Sequence, residues 1–173
     1  MSTFALQRAS DRHLERLQPL CAEATARHAG LWSARKASFD PGVWLAAHAP
    51  VIVVLDGQTP IGFAAALTEG APLGFPKNAE AVVYVSPAQR KHGAGRAAMS
   101  ELLAAARTMG VWKMVAYTLP EDAGARTLLE RVDFREVGVL AKHVQVEGGW
   151  KEVAIHERLV LAARRSRPSI SDT

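Results

Sequence analysis

Residues 80–96 read Glu-Ala-Val-Val-Tyr-Val-Ser-Pro-Ala-Gln-Arg-Lys-His-Gly-Ala-Gly-Arg. The reading of this stretch decides the fold. Glu80–Ser86 is apolar and β-branched, which predicts a strand, and Pro87 ends it. From Gly93 to Met109 the apolar residues Ala97, Met99, Leu102, Leu103, Ala106 and Met109 keep a helical period, and Gly110 stops it. Between the two lies a basic turn, Arg90–Arg96. The first N–H groups of a helix lack partners and carry partial positive charge, so a helix opening there can take a phosphate. Gly93 and Gly95, on either side of Ala94, let the backbone approach a pyrophosphate. Arg90, Lys91, His92 and Arg96 add charge-assisted contacts. The same turn also reads as plain geometry, a basic connection whose glycines serve shape alone.

Working outward, Thr3–Arg8 alternates weakly and predicts a first strand. Ser10 can cap a helix from Asp11, with Leu14, Leu17, Cys21 and Ala24 on one face and Pro19 expected to kink or divide it. Asp40-Pro41 opens a short helix carrying Trp44 and Leu45, ended by Pro50. Val51–Leu55 and Ile61–Leu67 form a hairpin about Asp56-Gly57, and Gly70–Asn78 is a loop. Val111–Thr118 is a strand and Asp122–Arg131 a helix. Phe134–Val146 and Lys151–Leu161 are extended about Glu147-Gly148-Gly149. The order predicts one α/β (α+β) domain over residues 1–163, a mixed sheet with a central strand–turn–helix unit. Residues 164–173 form a basic tail holding Arg164, Arg165 and Arg167.

Composition narrows the function. No apolar run reaches the roughly 18–20 residues that cross a bilayer, and Met1-Ser2-Thr3-Phe4 shows no basic segment leading into an apolar stretch, so no secretory signal is expected. A soluble, cytoplasmic protein without a membrane partner is expected. One cysteine, Cys21, excludes an internal disulfide and any multi-cysteine metal site. The six histidines show no ligand spacing, so no metal is predicted. The net charge of +4 falls to about +1 without the three tail arginines. With aromatics at 6% and no aromatic–basic interleaving, no nucleic-acid partner is expected.

Two nucleotide families fail on spacing. No Gly-Lys-Ser/Thr follows the glycines, which excludes a P-loop. A dinucleotide site would follow the first strand with three glycines and carry an acid some twenty residues on, whereas the unit here is mid-chain with two glycines. The motif Arg90-x-x-Gly93-x-Gly95 between a strand and a long helix resembles that of the GNAT superfamily of acetyl-CoA-dependent N-acetyltransferases, and the element order is similar over residues 3–161. Within it the chain looks most like the phosphinothricin acetyltransferase group. That likeness rests on Glu80-x-x-Val83-Tyr84-Val85, on Leu128–Gly138 and on Gly148-Gly-Trp150-Lys-Glu-Val153. The chain departs from the group at Asp133, where glycine is usual, and at Asp122, in place of an asparagine that contacts coenzyme A. Leu129 replaces a tyrosine or histidine, and Val146 replaces a lysine.

The resemblance implies a mostly antiparallel twisted sheet with helices on both faces. It implies acetyl-CoA as co-substrate, held by Arg90–Arg96, by Asp122 and by the backbone of Val83, Tyr84 and Val85 where the fourth strand splays from the fifth. One N–H there would stabilise the oxyanion, a contribution of about 3–4 kcal/mol for a single donor. Glu80 takes the role of general base, because an ammonium must lose a proton before it attacks a thioester. Trp32 and Trp150 are candidate walls of the acceptor pocket, Trp150 also reading as core, as does Trp44. The general acid is left open between tyrosine and water. The acceptor is read as a small-molecule amine, an antibiotic or toxic amine. An aminoglycoside is preferred to a phosphinothricin-like amino acid on the loss of lysine at Val146 and on Glu69, Glu121, Asp122 and Glu147. A protein N-acetyltransferase, a non-catalytic acyl-CoA-binding module and a homodimer remain open.

Overall fold

The computed structural model describes residues 4–27, 40–68, 77–146 and 148–160, and its element order is the one the sequence predicts. Strand β1 (Ala5–Arg8) leads through a 3₁₀ turn into helix α1 (Leu14–Arg27), and α2 (Pro41–Ala46) follows. Asp40 caps α2 by accepting the Gly42 N–H at 2.7 Å, with Pro41 in the first turn where a missing N–H costs nothing. Pro19 does not divide α1. It sits on the exposed side of the helix, so the Glu15 carbonyl deprived of its partner can turn to water.

Strands β2 (Val51–Asp56), β3 (Thr59–Leu67) and β4 (Asn78–Val85) form an antiparallel meander. Helix α3 (Ala94–Thr108), β5 (Lys113–Thr118), α4 (Ala123–Glu130), β6 (Arg135–Val146) and β7 (Gly149–Leu159) complete the chain. The seven strands join in the order β1-β2-β3-β4-β5-β7-β6, and β4–β5 is the parallel pair. The middle of the sheet is buried on both faces. Phe63, Ala64, Ala65 and Ala66 of β3 have no exposed surface, and the alanines let helices approach closely from either side. One face carries α1 and α2, with Leu17, Cys21, Trp44, Phe63, Val82 and Tyr84 packed together. The other carries α3 and α4, with Ala98, Met99, Leu102, Met114, Leu129 and Phe134.

Trp44 is core, 2% exposed and tilted against Phe63 at 5.6 Å between ring centres. Trp150 is not: at 58% exposure it stands near the tip of the β6–β7 hairpin, opposite Gln145, where neither α3 nor α4 reaches. The tail 164–173 and Trp32 lie outside the described residues.

Candidate active site

The parallel pairing of β4 with β5 is short. Its register runs Asn78↔Lys113, Ala79↔Met114, Glu80↔Val115 and then stops, although both strands continue. Beyond Glu80, β4 is paired only with β3, and Ala116–Thr118 of β5 only with β7. A wedge therefore opens in the sheet, and its walls are backbone edges whose N–H and C=O groups need partners. Which residues supply those groups follows from the ladder. The Ser86 N–H donates to the Ile61 carbonyl at 2.9 Å, so Ile61 and Ser86 form a hydrogen-bonded pair. Alternation then turns the polar groups of Val82 and Tyr84 towards β3, and those of Ala81, Val83 and Val85 towards the wedge. Of the three residues assigned from the resemblance, Val83 and Val85 offer backbone to the opening. Tyr84 is turned the other way, with its ring buried at 2% exposure beside Phe63.

Glu80 stands at the throat, on the last paired residue before the strands part. Its side chain is 5% exposed and shares a face with Val82 and Tyr84, the face that α1 and α2 cover. A carboxylate so placed can take a proton inside the site.

The turn between β4 and α3 is built to leave N–H groups free. The first backbone bond inside α3 is from the Ala97 N–H to the Gly93 carbonyl, so the N–H groups of Ala94, Gly95 and Arg96 have no intrahelical acceptor. Gly93 at the N-cap brings no side chain to cover them, and no acid lies in the first turn. An anion is the natural complement, and these residues fit the pyrophosphate of acetyl-CoA.

The two glycines do different work. Gly93 has φ +85°, the left-handed region, and a Cβ there would meet nothing within 4 Å. Its need is conformational. Gly95 is helical, and its Cβ would lie 3.3 Å from Leu128 Cδ2 and 3.7 Å from Val85 Cγ2. Within the protein it lets α3 pack closely on α4 and β4. Lys91 also takes a positive φ, +67°, and with His92 is exposed. The Arg90 side chain is turned back onto the strand. Its Nε donates to the Val85 carbonyl at 2.9 Å, and its guanidinium lies 5.6 Å from the centre of the Tyr84 ring. Arg90 thus holds the end of β4 in register with the turn, while Arg96, in the first turn of α3, is exposed.

Asp122 is an N-cap: its Oδ1 accepts the Ala125 N–H at 2.9 Å and places negative charge at the start of α4. Glu121 pairs with Lys151 at 3.1 Å. Glu69 and Glu147 are outside the described residues. Alternation along β7 sets Trp150 on the opposite face of the sheet from Glu80, so these two are not brought together. Leu129, where the resemblance expects a tyrosine or histidine, is a buried residue of α4.

One polar pair escaped the sequence reading. Thr118 Oγ1 and His156 Nε2 are 2.9 Å apart, both side chains buried on the α4 side of the sheet. The signal was present in principle, since both residues sit at inward positions of apolar strands. Their pairing depends on the β5–β7 register. Among the described residues no group of His, Cys, Asp and Glu could hold a metal ion, and no helix is long and apolar enough to cross a membrane.

Comparison with known proteins places this geometry. Residues 10–134 match the model of the acetyltransferase (GNAT) family. No curated protein matches the chain. Among solved structures, the yncA protein of Salmonella typhimurium, solved with its cofactor acetyl-CoA, superposes with a TM-score of 0.80 at 20% identity, over 97% of this chain and 99% of that one. The ribosomal-protein-alanine N-acetyltransferase of Brucella melitensis gives 0.77 at 22% identity, over 90% and 99%. A phosphinothricin acetyltransferase of Sinorhizobium meliloti, in complex with acetyl-CoA, gives 0.73 at 21%, over 92% and 89%. At such identities these structures speak for the fold. With the family match over most of the chain, the parted strands and the uncapped helix that follows them, the chain belongs to the acetyltransferase (GNAT) family and is an acetyl-CoA-dependent N-acetyltransferase.

Proposed function

We propose that the acceptor is a primary amine on a small molecule and that Glu80 is the base that deprotonates it. The observation that carries this reading is the position of Glu80, buried at the one point where β4 leaves β5. An amine entering from the α1–α2 face meets that carboxylate as an ammonium, loses a proton to it directly or through one water, and attacks the thioester carbonyl. The wedge-facing backbone of Val83 and the N–H of Val85, whose carbonyl Arg90 holds, pair with the amides of the pantetheine arm. A wedge-facing N–H on β4 donates to the carbonyl oxygen as charge builds there. Ala94, Gly95 and Arg96 offer their N–H groups to the pyrophosphate, with Lys91 and His92 exposed beside them.

Within small amines, an aminoglycoside stays ahead of a phosphinothricin-like amino acid because Val146 stands where a carboxylate-bearing acceptor would want lysine. Asp122 and Glu121 already serve as cap and ion pair, and Glu80 is the acid that stands at the throat of the wedge. The role is resistance or detoxification. The similarity to the Brucella enzyme keeps a protein N-terminus as a second reading.

A thiol-release assay with acetyl-CoA tests both claims, run across aminoglycosides, phosphinothricin, methionine sulfoximine and an alanine-initiated peptide. Glu80→Gln should lower kcat about 10²–10⁴-fold and leave acetyl-CoA affinity unchanged. Near-full activity in Glu80→Gln would remove Glu80 from the base role. Turnover of the peptide alone would replace the small-molecule acceptor with a protein. No turnover with any amine, despite acetyl-CoA binding, would favour a non-catalytic module.

A further inference from the structure

On the α3–α4 face, away from the wedge, a groove of about 360 Å³ runs between α3 and the α4–β6 turn to the end of β7. Four arginines line it, Arg96 and Arg107 from α3, Arg131 from the turn and Arg158 from β7, against one acid, Asp133. These residues are scattered over more than sixty positions in the sequence, and the fold alone collects them. Arg158 is fixed in the wall, donating to the Val132 carbonyl and lying 3.5 Å from Asp133. Asp133 itself has φ +58°, a conformation glycine would take at less cost, and it directs a carboxylate to Arg158. Arg96, Arg107 and Arg131 have no carboxylate partner among the described residues. Guanidinium groups converging without counter-charge favour an anion.

Beside the foot of the groove, outside its lining residues, stands an aromatic residue. Val160 lines the groove, and the Val160 N–H donates to the Trp112 carbonyl at 2.9 Å. The β5–β7 register, Lys113↔Leu159, makes Trp112 and Val160 cross-strand neighbours on one face. Trp112 is 40% exposed there. An exposed tryptophan next to a residue of the groove's wall offers a stacking surface to a ligand whose phosphates the groove holds.

We propose that the lower part of this groove, beyond the Arg96 end that it shares with the acetyl-CoA cradle, is a second binding site for a nucleoside polyphosphate. Arg107 and Arg131 hold its phosphates, and Trp112 stacks its base. Arg107 is eleven residues beyond Arg96 on α3, or ~16 Å along the axis. The 3′-phosphate of coenzyme A hangs one sugar ring from its own pyrophosphate. It cannot extend from the first turn of α3 to the last. The groove's lower half is therefore outside the donor's reach.

The test is calorimetric titration of ADP into the full chain already saturated with acetyl-CoA, so that the cradle at Gly93–Arg96 is filled. One further ADP should bind. Arg107→Gln combined with Arg131→Gln should weaken it roughly tenfold or more for each guanidinium lost, with acetyl-CoA affinity and turnover unchanged. Trp112→Ala should weaken ADP but leave inorganic tripolyphosphate, titrated in the same way, unaffected. The single charge reversal Arg107→Glu serves if the double variant does not fold. The proposal is overturned if acetyl-CoA abolishes ADP uptake, or if ADP binds the folded arginine variants as it binds the parent. Equal loss of ADP and tripolyphosphate in Trp112→Ala would overturn the stacking.

Discussion

Replacing Gly93 by alanine puts a Cβ on a residue held at φ +85°, ψ −5°. No neighbour lies within 4 Å of that atom, so the whole cost is conformational, about 1–2 kcal/mol for an L-residue in the left-handed region. In a chain of this length that is a fall in Tm of roughly 2–4 °C per kcal/mol. Asparagine tolerates the region better than alanine, so the variants should rank Gly93, then Asn, then Ala, then Val. Gly95 should behave differently. Its alanine gains about 0.5–1 kcal/mol of helix propensity, against a contact of 3.3 Å with a Leu128 methyl that can shift by tenths of an ångström. Gly95→Ala should therefore be near neutral. Gly95→Val adds branched bulk against both Leu128 and Val85 and should lose about 1–3 kcal/mol by overpacking. Thermal melts read the stabilities, and calorimetry with acetyl-CoA reads the cradle. Acetyl-CoA affinity should fall in Gly93→Val, because the N–H groups of Ala94, Gly95 and Arg96 depend on the turn. If Gly93→Ala melts at or above Gly93→Asn, or if Gly95→Ala is worse than Gly93→Ala, the division of labour between the two glycines is wrong.

Two more predictions come from buried titratable groups. Burial, with a smaller contribution from Asp40, pushes the Cys21 thiol up to about 12, so native protein at pH 8 should resist iodoacetamide and react only as denaturant unfolds it; rapid alkylation of the folded chain would contradict its place in the core. Burial holds the His156 pKa below its usual value, outweighing Glu136 and Glu130, which raise it, while Arg126 lowers it further. A histidine depressed in the fold binds its proton more readily when unfolded, so stability should fall as pH drops below about 6.5 and level off below the folded pKa. His156→Gln should flatten that part of the pH–stability curve, and an unchanged curve would place the titration elsewhere.

What the chain's own order determined was local. A strand, a glycine turn and a helix can be read from residues 80–109 because β-branched runs, helical periodicity and glycine punctuation act within a few positions. The cap at Asp40 was visible for the same reason. The family motif sits on this local frame. Tertiary structure decided whatever depended on register or on residues far apart. The point at which β4 parts from β5, which leaves Glu80 at the throat, is a property of two strands at once. So is the turn of Val83 and Val85 towards the wedge and of Tyr84 away from it. Pro19 passed through α1 because its face is exposed, and Trp150 stayed out of the core because no helix covers the end of its hairpin. The arginines of the groove are ordinary helix-end and strand residues in sequence, and only the packing of α3 against the α4–β6 turn makes them neighbours. Periodicity reports what one element presents to its surroundings, whereas a site is made where several elements converge.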